Sequence, residues 1–176
     1  MHLTQLFLCS FYYLTFAAAS DADAGFWTHE EFLSPERFWL RWNISGFGAN
    51  DVATFEIAAK TRGWIGLGFS TSGRMVDSDI VIAGVKNADG QPYLTDRYGR
   101  SNTVPLIDEH EDYHLISATQ NETHTVLLIQ RKMDTADAND QSLLVPRLYI
   151  LWAYHKEDPF SKMTINQHKL QNRGVR

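Results

Sequence analysis

The sequence is poor in cysteine: Cys9 is the only one in 176 residues. No disulfide can close within the chain, and no cluster of thiolate metal ligands can form. Basic runs are also missing. Sixteen Lys and Arg stand against 21 Asp and Glu, for a net charge of −5. That balance argues against nucleic acid or an anionic membrane as partner. No second apolar stretch reaches the length of a membrane span, so none is expected after signal cleavage. Helical periodicity is absent too. There is no Gly-x-Ser-x-Gly elbow for a serine hydrolase, and no His-x-His pair. The Gly-x-Gly of "GLGFSTSG" is not followed by a helix whose amides could hold a phosphate, so no dinucleotide site is expected.

The first stretch, "MHLTQLFLCSFYYLTFAAAS", holds no acid, lysine or arginine. Leu6 to Phe16 is mostly apolar, and Ala17-Ala18-Ala19 is a small-residue cleavage pattern. These features describe a signal peptide over residues 1–19, and hence a secreted protein. Cys9 would leave with it. An N-terminal segment, 20–36, and a domain over 37–174 follow.

That domain reads as strands. In "RFWLRWN", Phe38, Leu40 and Trp42 alternate with Arg37, Arg41 and Asn43. Phe55, Ile57 and Ala59 share a face in "VATFEIAAK", as do Ile65, Leu67 and Phe69 in "WIGLGF". "DIVIAGV" is a continuous apolar run, the mark of a strand buried on both sides. "YHLISA", "THTVLLIQRK" and "RLYILWAY" complete the set, with a period near two throughout. Turn residues break the strands at "SGFGAND", "STSGR", "NADGQP", "DANDQS" and "KEDPF". Seven or more short strands with such breaks predict an all-β, antiparallel two-sheet sandwich. From Pro159 the alternation ends, and a loop wrapping the sandwich is expected.

Four stretches carry a resemblance: "TRGWIGLGFSTSGRMVDSDIVIAGV", "QPYLTDRY", "EDYHLISATQNETHTVLLIQRK" and "LYILWAYHKEDP…NQHKLQNRG". They resemble the DOMON domain, and more narrowly the amino-terminal DOMON domain of dopamine β-hydroxylase-like monooxygenases. The resemblance runs from about Phe38 to Gly174 and implies an immunoglobulin-like β-sandwich. In those enzymes two copper-binding catalytic domains follow. This sequence shows neither, so no copper is expected. Where the enzymes resemble "HTCDIND", this chain has "DTADAND", with Ala136 in place of the tethering cysteine. The implied protein is a stand-alone, non-catalytic binding or interaction module. The alternative is a partial monooxygenase without its catalytic domains.

The resemblance also implies two sites. Some DOMON domains look like b-type cytochromes that hold haem through one Met and one His. Met75, in the loop after "GWIGLGF", and His168, near the domain's end, stand in those places. A thioether and an imidazole both bind haem iron. Trp64, Phe69 and Trp152 are available to line an apolar slot. The bland alternative makes Met75 a packing residue and His168 a surface residue. The second implied site is a hard-cation site at Asp79 and Asp112, with the carbonyls of Ile80 and Arg97. Such oxygens suit Ca²⁺ or Na⁺. Otherwise both acids are strand-terminal carboxylates bonded to nearby amides. The rest of the acidic run "IDEHEDYH" reads as a solvated loop.

Two sequons, at Asn43 and Asn121, make glycosylation an expectation in a secreted chain. Trp39 lies opposite Phe38 and Leu40, on the outward face. An exposed aromatic there could stack on a sugar. The expected partners are therefore an extracellular protein, a sugar or a small molecule.

Overall fold

A computed structural model describes residues 26–46, 51–162 and 164–176. The proposed signal peptide lies outside the described residues. The rest is two antiparallel sheets packed face to face. The strands are β1 (His29–Ser34), β2 (Phe38–Ser45), β3 (Val52–Ala59), β4 (Ile65–Ser70), β5 (Asp79–Val85) and β6 (Pro92–Tyr98). They continue with β7 (Leu106–Ile107), β8 (His114–Gln120), β9 (Thr125–Lys132), β10 (Tyr149–Tyr154) and β11 (Arg173–Val175). One sheet has the order β1-β2-β3-β9-β8, the other β11-β10-β4-β5-β6-β7. This is the all-β sandwich that the alternation predicts.

The alternation fixes which residues meet. Phe38, Leu40, Phe55, Ile57, Leu127 and Ile129 face Ile65, Leu67, Phe69, Val81, Ala83 and Trp152 across one core. Each fully buried apolar side chain of this size contributes about 1.5–3 kcal/mol. Strand β5 is buried along its whole length. Val81 and Ala83 join that core. Ile80 and Ile82 point the other way and form a second cluster with Trp64 and Ile165.

Ile165 belongs to the C-terminal tail, which crosses the outer face of the six-stranded sheet and ends in β11. Arg97 pins it there. This guanidinium is buried and donates to the carbonyls of Lys162 and Pro105 and to Thr95 Oγ1. Trp64 Nε1 adds a hydrogen bond to the Asn166 carbonyl, 3.2 Å away. The expected wrapping loop is thus observed, with a closing strand at its end.

Three edge strands, β1, β7 and β11, were not foreseen. Strand β1, within residues 20–36, pairs with β2 along its length. Trp39 does face outward, but it is half-buried: it donates to Glu30, 2.9 Å away, and packs against Phe32 and the Arg41 guanidinium.

Ile129 has no exposed surface and sits at the centre of the inter-sheet core. Ile129→Ala should cost about 3 kcal/mol in urea unfolding. Ile116→Ala, at the bulged and exposed middle of β8, should change stability by less than about 0.5 kcal/mol.

Candidate functional site: a buried acidic end

The period-two pattern points Asp79 and Val81 of β5 inward, and likewise Leu94 and Asp96 of β6. It also points Leu127, Ile129 and Arg131 of β9 inward from the facing sheet. All three charged side chains therefore fall at one end of the core, among the described residues least exposed to water.

Arg131 is the hub. Its Nη1 pairs with Asp79 Oδ2 and also donates to Tyr113 Oη at 3.3 Å. Its Nη2 donates to the Gln141 carbonyl at 3.0 Å and lies 3.7 Å from Asp140 Oδ2. Tyr113 donates its hydroxyl to Asp79 Oδ1 at 2.9 Å, so both Asp79 oxygens are engaged. Asp96 Oδ2 accepts from the Asp112 amide at 2.9 Å. Carboxylate oxygens of Asp79, Asp96 and Asp140 all lie within 4.8 Å of one another. One guanidinium thus faces three carboxylates. Asp96 Oδ1 and Asp140 Oδ2 are buried without a hydrogen-bond partner among the described residues.

The charge imbalance sets the titration. Burial pushes Asp79 up to about 7, against the opposing pull of Arg131. Burial likewise pushes Asp96 up to about 8, with Asp140 and Asp79 adding repulsion. Asp140 is raised by burial too. The three titrate as one coupled group.

Asp79 and Asp112, the two acids expected of a cation site, both lie at this end. Asp79 is not bonded mainly to nearby amides, as the bland alternative had it: its partners are Arg131 and Tyr113. Asp112 is half-buried and reaches the cluster through its amide. Its charge is also close enough to raise Asp140. Ile80 and Arg97 face each other across the β5–β6 ladder, one residue from Asp79 and Asp96. The Arg97 side chain turns away, to the tail. Asp96, Asp140, Tyr113 and Arg131 were missed. Inward parity of a charged residue in "YLTDRY" and "VLLIQRK" was the available signal.

Met75 and His168 occupy a different place. Both border the Trp64, Ile80 and Ile82 cluster on the outer face of the six-stranded sheet. Met75 packs against that cluster, and the His168 ring lies edge-on to Trp64 at 6.3 Å. The Met75 loop is held by Ser78 Oγ donating to the Met75 carbonyl and by Asp77 N donating to the Gly99 carbonyl. Burial, with Arg173 nearby, lowers His168 from its ordinary value and favours the neutral imidazole. Its Nδ1 is buried without a hydrogen-bond partner among the described residues. Phe69 and Trp152 do not share this face. They lie in the inter-sheet core, because their strand parity points them inward. Of the three aromatic residues expected at the slot, Trp64 alone belongs to the outer cluster.

The letters His-Glu-x-x-His occur at His110–His114. That motif holds zinc on a helix, where the two histidines share a face. Here residues 110–113 are irregular and His114 opens β8. His110 instead pairs with Asp137 at 2.7 Å. Of the sequons, Asn121 is exposed in the β8–β9 turn, where its Oδ1 accepts from the amides of Thr123 and His124. Asn43 is half-buried within β2. Ala136 is exposed on the loop before β10.

Fold and site together define an antiparallel β-sandwich with a charged, buried end. The chain belongs to the DOMON domain family, which it matches over residues 34–155. It is 37% identical to mouse DBH-like monooxygenase protein 1 over 91% of this chain and 25% of that protein. For the human protein of that name the identity is 39%, over 74% and 20%. For MOXD1 homolog 1 of Drosophila melanogaster it is 36%, over 76% and 19%. The chain thus spans about a quarter or less of these relatives' length, in their DOMON portion. Among solved structures, the fold is similar to the cytochrome domain of Myriococcum thermophilum cellobiose dehydrogenase. The TM-score is 0.63 at 19% identity, covering 88% of this chain and 83% of that one. The cytochrome b domain of pyranose dehydrogenase from Coprinopsis cinerea also gives 0.63, at 14% identity, with 82% and 78% covered.

Raised carboxyls mean that the folded state binds more protons than the unfolded chain between about pH 4 and 8. Their contribution is therefore greatest at low pH and is lost as pH rises through 7 to 8. Arg131→Met sharpens this dependence, since it leaves Asp79 buried without its cation. The variant should lose about 3–5 kcal/mol at pH 8. At pH 5 the loss should be smaller, because Asp79 takes up a proton. Urea unfolding at the two pH values checks both.

Proposed function

We propose that this chain is a non-catalytic DOMON binding module working outside the cell, whose acidic end is closed by a hard cation. The observation that carries this reading is the pair of unbonded, buried oxygens, Asp96 Oδ1 and Asp140 Oδ2, beside an ion pair that cannot neutralise three carboxylates. The donors are all oxygens, which suits Ca²⁺ or Na⁺. Asp79, Asp96, Asp112 and Asp140 would hold it, with the carbonyls of Ile80 and Arg97, residues that pair across the β5–β6 ladder. The ligand of the module is an extracellular protein, a sugar or a small molecule. Monooxygenase chemistry, as in the names of the DBH-like relatives, forms no part of this reading. The seven histidines here are scattered.

Ca²⁺ in tenfold excess over its Kd should raise Tm by about 3–6 °C at pH 8. The response should be small at pH 5, where protons already occupy the cluster. Asp96→Asn should remove the Ca²⁺ response and raise Tm in EDTA. An unchanged Tm with Ca²⁺ at pH 8 would sink the cation reading.

A second reading is favoured by one observation: Met75 and His168 border one apolar patch around Trp64. The solved cytochrome domains that share this fold lend it context. The residues fit a haem in chemistry, since burial favours the neutral imidazole of His168 and its Nδ1 has no hydrogen-bond partner among the described residues. A bound haem would supply one-electron redox chemistry. Against it, Ile165 already packs on Trp64, so the tail would have to yield. Hemin titration decides. A sharp Soret band lost in both Met75→Ala and His168→Ala supports a haem module. A broad spectrum unaffected by either variant leaves Met75 as packing.

A further inference from the structure

The end of the sandwich opposite the acidic cluster gathers positive charge. A cleft of about 410 Å³ lies where β3 ends, β4 begins, β10 ends and the C-terminal tail returns. Five of the chain's sixteen Lys and Arg line it: Arg37, Lys60, Arg62, Lys156 and Lys169. No Asp or Glu is among its described lining residues. Glu157, outside the lining, has an exposed carboxylate 3.5 Å from Lys156 Nζ. No run in the sequence foretells this patch, because the five come from four separate segments. In a chain with net charge −5, such a gathering costs repulsion that a bound anion would relieve.

A second observation points to a ligand. Tyr154 lines the cleft, is only 4% exposed, and its hydroxyl has no hydrogen-bond partner among the described residues. A buried hydroxyl left unbonded is costly, and a ligand oxygen would satisfy it. The volume also exceeds what one inorganic ion needs and falls within the range of small-molecule pockets.

We infer that this cleft is a binding site for a small organic oxyanion, a sulfate or phosphate ester. Its charged oxygens meet Lys60, Arg62, Lys156 and Lys169, and Tyr154 donates its hydroxyl to one of them. Arginine adds paired donors of matched geometry, and lysine adds point charge. The inference does not depend on the cation or the haem reading.

Isothermal titration of the full-length protein tests it at about 0.1 M salt, where the screening length is about 10 Å. Two probes separate the sources of the anion: a heparin-derived sulfated tetrasaccharide and inositol hexakisphosphate. One probe should bind with at least tenfold preference over the other, which names the ester. Lys60→Glu with Arg62→Glu should weaken that probe at least tenfold. Arg100→Glu with Lys132→Glu changes net charge equally, at the acidic end, and should weaken it less than twofold. Tyr154→Phe should weaken binding about threefold without lowering Tm. Equal loss in the two double variants would show general charge attraction and overturn the site. So would failure of both probes to bind, or a Tyr154→Phe variant that binds like the wild type.

Discussion

The buried pair of Arg131 and Asp79 ties the two sheets together. Arg131 comes from an inner strand of the five-stranded sheet and Asp79 from an inner strand of the six-stranded one. Their contact, with Tyr113 bridging, closes an end of the core that apolar side chains leave open. A pair this deep is not a large source of net stability, because removing both charges from water costs about as much as their attraction returns. Its consequence is specificity. Shifting β9 by one residue would turn Arg131 outward and an apolar row into water, and shifting β5 would take Asp79 away from its partner.

The same pair creates the unresolved charge. Asp96 and Asp140 sit beside an ion pair that is already balanced. Protons can neutralise them, which is why burial raises both. A hard cation can do the same at higher pH. In our reading the fold keeps this end charged because the cation completes it, and the loops that carry Asp112 and Asp140 are ordered around it. The basic cleft at the far end makes the molecule electrically two-ended, although its net charge is small for its size.

Much of the fold was legible from alternation alone. Strands with one apolar face, such as β2, β3 and β9, declare both their type and their inward residues. Strand β5 declares its burial but not its sides, since apolar residues lie on both. The same ambiguity explains why Phe69 and Trp152 were grouped with Trp64, from which the sheet separates them. Edge strands β1, β7 and β11 were not legible: they are short and half-exposed, and pairing rather than pattern defines them. Within the site, Asp79 and Asp112 were reached only through resemblance to a family. Arg131 and Asp96 were readable as inward charges, but their meeting depends on which strands face each other across the core. The basic cleft was not readable at all, because it exists only where separate turns meet.

The central claim is that Arg131 leaves the acidic end incompletely neutralised, so that a hard cation completes it. Carboxyl ¹³C chemical shifts of Asp79 and Asp96, followed against pH in EDTA and again in Ca²⁺, test this most directly. Midpoints near 7 and 8 in EDTA that move well down in Ca²⁺ are the predicted result. Midpoints near 4 in EDTA, unmoved by Ca²⁺, would show that Arg131 neutralises the cluster alone, and would contradict the account.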